Sequence, residues 1–291
     1  MALPFTTAQA GDLGLGRGAL RGRSVRRELR GVYLPAWADD DLRTRVEAAA
    51  LVLPADARPD GVTALQLLGV AVGPEEPLRF ASAHPHQVRR TEVRVRRCAP
   101  EVVVDLSVAA AFVGAARELD LLDLMAAGDW LVRLGLTTPE ELVHHAAHAR
   151  GRGARHARRA AALVRRRVDS VQETRLRLAL VLAGLPEPEV NPVVRVRGRR
   201  LGRVDLLLAR WRVAIEYEGD QHRVDRRQWN RDVWRQELLA VEQVLVRVTA
   251  ERMRSPRAVV LGVHEVLVGH GYDGPAPTFD AEWRTLFATA R

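Results

Sequence analysis

Residues 202–219, GRVDLLLARWRVAIEYEG, contain the two apolar runs that decide the fold of the C-terminal half. VDLLL and VAIEYE each suit a strand, and the short link between them, centred on 210–211, predicts a β-hairpin. Because strand side chains alternate between faces, this pairing places Asp205 opposite Glu216, with Glu218 on the same face. A slip of one residue in the register would separate them. Like charges at that spacing repel, so we expect either water or a cation between them.

The convergent carboxylates point to a hard divalent cation, because Mg²⁺ and Mn²⁺ prefer oxygen ligands. We therefore predict a metal site formed by Asp205, Glu216 and Glu218. The alternative is a solvated acidic rim. Glu173 is a further candidate, because it lies on the same helical stripe as core leucines. Its alternative is an acid favoured by the macrodipole at a helix N-terminus.

The elements around this hairpin predict an α/β or α+β domain with a mixed sheet. A helix should begin near Ser170 and stop at Gly184. A strand, NPVVRVRG, precedes the hairpin, and a polar helix is predicted over 226–243. A final strand over 244–253 and a helix over 257–271 complete the order.

The segments RVDLLL, AIEYEGDQH and QWNRDVWRQELL resemble an uncharacterised bacterial domain family related to very-short-patch-repair endonucleases. That family lies within the restriction-endonuclease-like (PD-(D/E)XK) superfamily, and the resemblance covers about residues 170–270. It implies a mixed sheet flanked by helices and phosphodiester cleavage that depends on Mg²⁺ or Mn²⁺. It also implies Asp205 and Glu216 as metal ligands, Glu173 as the acid of the leading helix, and His222 as the histidine after the glycine.

The chain departs from the superfamily pattern at one position. Glu218 stands where a lysine is usual, and a lysine there would orient the attacking water or steady developing charge. A carboxylate can instead bind metal or accept a proton. His222 is then a candidate general acid or base, and a structural histidine is the alternative. Nearby arginines are expected to contact the DNA backbone: Arg223, Arg226, Arg227 and Arg231.

The length of 291 residues favours two domains, which we expect at residues 1–160 and 161–291. All 45 basic residues are arginine and the acidic residues number 36, which gives a net charge of +9. This excess favours a polyanionic partner, although the codon bias of a GC-rich genome also explains the use of arginine.

The N-terminal stretch FTTAQAGDLGLGRGALRGRSVRRELRGVYLP has the layout of a winged helix-turn-helix. Thr7 can cap a helix over Ala8 to Leu13, RGALRGRSV can form a second, basic helix, and a strand follows around Gly31. The alternative is a small structural cap with a solvated basic face. We predict a mainly helical N-terminal domain that contains this motif.

The same stretch is similar to the winged-helix region of AbiEi-type antitoxin and transcription-regulator proteins. That resemblance implies DNA binding through Arg17, Arg21 and Arg23, together with the strand after Arg30.

The sequence is compatible with two functions from different classes. The first is a metal-dependent DNA endonuclease of repair or defence, and the second is a non-catalytic, antitoxin-like regulator on a nuclease-like scaffold.

A single cysteine, Cys98, excludes an internal disulfide and a cysteine-rich zinc site. No apolar stretch suits a membrane span and no secretory signal is recognised, so we expect a cytoplasmic protein. An RNA target and a homodimer are left open.

Overall fold

The computed structural model describes residues 4–100, 107–196, 199–218 and 243–287. It combines helices with several small sheets, so the predicted α+β class is confirmed. The chain forms two compact units: residues 1–119 with 140–162, and residues 120–139 with 163–291. The chain therefore passes from one unit to the other three times.

An antiparallel sheet opens the first unit. Its strands are β1 Phe5–Thr6, β2 Val25–Leu29 and β3 Val32–Pro35. β3 lies in the middle and pairs with both of the others. The strand predicted after Gly31 is therefore confirmed. Gly31 itself lies in the turn between β2 and β3 with a φ of 84°, a conformation that favours glycine.

The two short helices predicted before this hairpin are wrong. Residues 8–14 form turns, and the second segment contains only a 3-10 helix over Ala19–Arg21. Glycines recur through both segments and raise the entropy cost of a helix, while stretches this short cannot offset the cost of helix nucleation. Among the described residues 4–36 there is no α-helix, so the predicted recognition helix of a winged helix-turn-helix is not formed there.

A second small sheet and several helices complete the first unit. β4 Arg58–Pro59 pairs antiparallel with β5 Leu78–Ser82, and β5 pairs parallel with β6 Val93–Arg97. The helices of the first unit are α1 Leu42–Ala50, α2 Gly61–Leu67, α3 Val108–Ala115, α5 Pro139–His148 and α6 Ala154–Leu163. Helix α4, Leu121–Arg133, lies between α3 and α5 in the sequence and belongs to the second unit. An apolar cluster joins the two sheets to α1, because Val32 and Phe80 pack with Ala48.

The second unit is built on a mixed sheet. Its strands are β7 Glu189–Val190, β10 Leu206–Leu208, β11 Val213–Glu218 and β12 Val244–Thr249, while β8 Val193–Val196 and β9 Arg199–Arg203 form a separate hairpin. The order is β12-β11-β10-β7, with β12 parallel to β11 and the other pairs antiparallel. The helices are α7 Val171–Leu182, α8 Pro256–Gly269 and α9 Ala281–Phe287. Both α8 and α9 pack against α7, so the predicted mixed sheet with accompanying helices is confirmed.

The β10–β11 hairpin has the predicted position and register. Leu206 pairs with Ile215, and Leu208 pairs with Val213. Residues 209–212 make the connection, and Arg212 has a left-handed φ of 54°. The paired apolar side chains are buried, so a shift by one residue would expose them to water and is disfavoured.

Helix α7 begins and ends where the sequence predicted. The Ser170 hydroxyl accepts a hydrogen bond from the Glu173 amide at 3.1 Å, which caps the first turn. Gly184 follows the helix with a φ of 89° and stops it in a left-handed conformation. The helix predicted over 226–243 lies, except for its last residue, outside the described residues. No helix in the described part of the chain is long and apolar enough to cross a membrane.

Candidate active site

The hairpin brings two of the predicted site residues to paired positions. The last ladder pair at this end joins Leu206 to Ile215, so the next pair outward is Asp205 with Glu216. Glu216 belongs to the sheet face on which Ala214 contributes to an apolar cluster. Both acids are half-buried. Asp205 and Glu216 therefore follow directly on the last apolar pair of the ladder.

Asp205 is held in place by both of its neighbouring strands. Its Oδ2 accepts a hydrogen bond from the Tyr217 amide of β11 at 2.7 Å. Its carbonyl accepts one from the Asn191 amide at 2.8 Å. The Asp205 carboxylate thus takes the place of a main-chain acceptor for β11, just before β10 begins. This hydrogen bond fixes the orientation of the carboxylate.

Glu173 lies behind this pair, in the first turn of α7. Its side chain is buried, with 7% of the residue exposed. Oε2 accepts hydrogen bonds from the Asp169 amide at 2.9 Å and from Asn191 Nδ2 at 2.6 Å. Burial raises the pKa of Glu173 above its ordinary value, and the negative charge of Asp205 raises it further, against the Asp169 hydrogen bond. The charges of Glu173 and Asp205 therefore influence each other.

Asn191, which was not predicted as a site residue, connects Glu173 to Asp205. Besides its bonds to those two acids, its Nδ2 donates to the Arg167 carbonyl at 2.9 Å. Asn191 is buried and has a left-handed φ of 47°, a conformation that asparagine adopts more readily than most residues. The asparagine before Pro192 was the available signal, because Asn-Pro favours turn formation.

A second residue missed from the sequence is Arg247 of β12. In the parallel register it lies beside Glu216, and its Nε is 3.5 Å from Glu218 Oε1. Arg247 and Glu218 are both partly exposed. A permanent positive charge therefore lies on the same face as the acids. Arg203 adds another at the rim, where it pairs with Asp169 at 2.8 Å.

The described residues contain no group of three or more histidine, cysteine, aspartate and glutamate side chains placed to hold a metal ion. The predicted trio of Asp205, Glu216 and Glu218 is not among such groups, and Glu218 forms an ion pair with Arg247. A metal site remains a prediction that now depends on the Asp205 and Glu216 pair. His222 and the arginines predicted to contact DNA beside it lie outside the described residues: Arg223, Arg226, Arg227 and Arg231.

The predicted N-terminal DNA contacts lie in the first unit. Arg17, Arg21 and Arg23 are all exposed, on the turns and the 3-10 helix between β1 and β2. None of them forms a salt bridge within the portion of the chain that the structure describes. Their guanidinium groups are therefore available to solvent, although they are not presented by a recognition helix.

Replacing Glu173 by glutamine is expected to raise the free energy of unfolding at neutral pH. The glutamine oxygen can still accept from Asp169 and Asn191, but it carries no charge. The pKa of Glu173 is higher in the folded protein than in the unfolded chain. At a pH above the folded-state pKa, ionised Glu173 therefore destabilises the folded protein, and this destabilisation is absent at a pH below the unfolded-state pKa. Melting temperatures measured from pH 7 downward should show a gain at pH 7 that vanishes in acid.

Glu265 provides the matched control for this measurement, since it is an exposed glutamate of α8. Glu265→Gln should give no pH-dependent gain. A Glu173→Gln variant that is less stable than the wild type at pH 7 would contradict the assignment of Glu173 as a buried carboxyl repelled by Asp205.

A comparison with known proteins adds no relative to this description: no protein-family model, curated protein or solved structure matches the chain.

Proposed function

We propose that this protein is a metal-dependent DNA endonuclease that hydrolyses phosphodiester bonds in repair or defence. The observation that carries the proposal is the antiparallel register of β10 and β11, which pairs Leu206 with Ile215 and leaves Asp205 and Glu216 as the next residues on the two strands. Buried Glu173 lies behind them and is repelled by Asp205. Clusters of partly buried acids whose charges influence one another are typical of functional sites.

The donor set fits a divalent cation such as Mg²⁺ or Mn²⁺. Asp205 and Glu216 would hold the ion through carboxylate oxygens, the ligands that these metals prefer. Mg²⁺ is commonly bound by one or two carboxylates, with water and substrate phosphates completing its shell, so two strand-paired acids suffice. When bound, the metal would stabilise charge on the scissile phosphate and lower the pKa of a water molecule.

The chain's own residues supply positioning and charge. Asn191 holds both the carbonyl of Asp205 and the carboxyl of Glu173, which fixes the metal-binding acid relative to the helix. Arg247 lies beside Glu216 and would hold a phosphate oxygen of the DNA backbone. An arginine keeps its proton at neutral pH, so it would act through its charge and not as a base.

The DNA partner is supported by charge. The chain has a net charge of +9, and Arg17, Arg21 and Arg23 are exposed in the first unit. Phosphate contacts from arginines position a protein on DNA without reading its sequence. We therefore assign these three residues to backbone contact rather than to base recognition.

A non-catalytic alternative is favoured by a different observation. Glu218 stands where the superfamily has lysine, and it pairs with Arg247 at 3.5 Å. If this ion pair persists on DNA, the arginine is neutralised and the chain acts as an antitoxin-like DNA-binding regulator on a nuclease-like scaffold.

Cleavage of supercoiled plasmid by the purified full chain tests the proposal. We expect nicking with Mg²⁺ or Mn²⁺ and none with EDTA. Asp205→Ala, purified in the same way, controls for contaminating nucleases. DNA binding without cleavage in either metal would support the regulator instead, and equal cleavage by wild type and Asp205→Ala would reject the site.

Replacing Arg247 by glutamine is expected to weaken DNA binding and to reduce its dependence on salt. Loss of one phosphate contact lowers the slope of log K against log salt by about 0.9. Fluorescence anisotropy with a labelled duplex, measured over a range of salt concentrations, gives this slope. Arg254→Gln is the control, because Arg254 is exposed and distant from the acids in sequence. An unchanged slope in Arg247→Gln would mean that Arg247 remains bound to Glu218.

A further inference from the structure

The first unit contains a cavity that the nuclease proposal does not use. It has a volume of about 580 Å³, within the range of about 300–1,000 Å³ that is usual for sites that bind small molecules. β4, α2, α3 and α5 contribute to its walls. Much of the lining is apolar and comes from α2 and α3: Ala64, Leu67, Ala110, Ala111 and Val113.

The charged groups of this cavity are unbalanced. Four arginines line it, Arg58, Arg96, Arg117 and Arg150, whereas Asp60 is the one acidic residue among its described lining residues. Asp60 is already paired with Arg96 Nε at 2.8 Å. The remaining three guanidinium groups have no carboxylate partner within the described residues, so the described lining carries a surplus of positive charge.

Within the described residues, these three guanidinium groups use only part of their donor capacity. Each donates there through Nη1, to main-chain carbonyls: Arg58 to Ala55 and Ala57, Arg117 to Gly114, and Arg150 to residues 147–149. Among the described residues, their Nε and Nη2 groups have no acceptor. Arginine presents its donors as a rigid fork that matches phosphate and carboxylate groups.

Arg117 is the least compensated of these groups. Burial lowers its pKa, and the positive charge of Arg96 lowers it further, while Asp60 opposes the shift. A second cavity, of about 530 Å³, shares Arg96 and Arg117 with the first and adds arginines of its own. An anion bound next to Arg117 would reduce the repulsion between Arg117 and Arg96, which line both cavities.

The surrounding backbone holds the acidic partner in place. Asp60 precedes α2, and a Cβ added to Gly114 would lie 2.5 Å from its Oδ1 and 2.9 Å from the Gly61 amide nitrogen. Only a glycine on α3 allows this approach. Asp60 is thus held close to Arg96, with which it forms the ion pair at 2.8 Å, and it offsets the charge of Arg117 only in part.

We propose that this cavity binds a small organic phosphate of nucleotide size. The phosphate would be held by Arg117 and Arg150, and the uncharged body would lie against the apolar residues of α2 and α3. The apolar wall favours an organic phosphate over a free inorganic ion. The concave shape and the volume favour a small molecule over the backbone of a DNA duplex. This site is separate from the acids of the second unit and does not depend on them.

Titration calorimetry with the full chain in EDTA tests the proposal, with ADP, adenosine and inorganic phosphate as probes. We expect one ADP per chain, bound at least about tenfold more tightly than phosphate or adenosine, since only ADP uses both the arginines and the apolar wall. Arg117→Gln and Arg150→Gln should each weaken ADP binding about tenfold or more. Ala110→Phe should remove binding with every arginine retained.

Two variants act as controls. Arg43→Gln removes an exposed arginine of α1 outside the cavity, and Asp205→Ala alters the second unit; neither should change ADP affinity. Because Arg150 is exposed, its variant should fold even if a cavity-filling variant does not. Failure of ADP to bind, phosphate bound as tightly as ADP, or equal weakening by Arg43→Gln and Arg150→Gln would each overturn the proposal. Displacement of ADP by an equimolar DNA duplex would favour a backbone-binding surface instead.

Discussion

Replacing Arg177 by methionine is expected to lower the free energy of unfolding of the second unit by about 3–5 kcal/mol. Arg177 is fully buried in α7. Its Nη1 donates to Glu187 at 2.8 Å and its Nη2 donates to the Leu163 carbonyl at 2.7 Å, while Asp129 Oδ2 lies 3.6 Å from Nη2. The variant would leave the buried Asp129 carboxylate and the Leu163 carbonyl without this donor. Removing one partner of a buried ion pair is strongly destabilising, because the other charge stays buried without compensation.

The loss should depend on pH in a defined direction. Burial raises the pKa of Asp129, and Arg177 is the strongest influence against that shift. Without Arg177 the folded-state pKa rises further, so ionised Asp129 costs more stability at neutral pH. The deficit of the variant should therefore be largest at pH 7 and shrink as the pH falls and Asp129 is protonated.

Urea denaturation followed by tryptophan fluorescence gives the free energy, since Trp130 and Trp283 lie in the second unit. Arg254→Met is the control, because Arg254 is exposed in the same unit. The double variant Asp129→Asn and Arg177→Met should recover part of the loss, since asparagine can still accept from the Arg165 amide. A loss below about 1 kcal/mol, the size expected for an exposed pair, would show that Asp129 is not stabilised by Arg177.

The sequence predicted elements well where local and long-range preferences agree. The β10–β11 hairpin follows from two apolar runs and a short polar link, and burial of Leu206 and Ile215 then fixes the register. Helix α7 follows from a serine cap and a glycine stop. The N-terminal prediction failed because local helix propensity was weak. The strand β1 instead gains its hydrogen bonds from β3, which is distant in the sequence, since Phe5 pairs with Tyr33.

The candidate site was predictable only in part, for a physical reason. Asp205 and Glu216 are joined by a local hairpin, whose register can be read from alternation. Arg247 reaches the acids through the parallel pairing of β11 with β12, and a parallel partner is set by a crossover rather than by a turn. Asn191 acts through its left-handed backbone and its side chain together, a combination that no residue pattern encodes.

The Asp205 and Glu216 pair should behave as one unit in catalysis. Asp205→Asn and Glu216→Gln are each expected to lower the rate of plasmid nicking by at least about 100-fold, because even the residues that support metal ligands typically account for about 10–100-fold. The double variant should lose no more than either single variant, since residues that jointly hold one ion give strongly non-additive effects. Calorimetric titration with Mn²⁺ should show the same pattern in metal affinity.

The conservative substitutions separate loss of chemistry from loss of fold. An asparagine at 205 can still accept from the Tyr217 amide, as Asp205 does at 2.7 Å, so the end of the β-ladder should persist. Melting temperatures without metal should therefore stay near the wild-type value, or rise as a repelling charge is removed. Glu265→Gln, on the exposed face of α8, should leave both nicking and Mn²⁺ affinity unchanged. If the single losses add in the double variant, the two carboxylates act separately, and a cation shared across β10 and β11 is excluded.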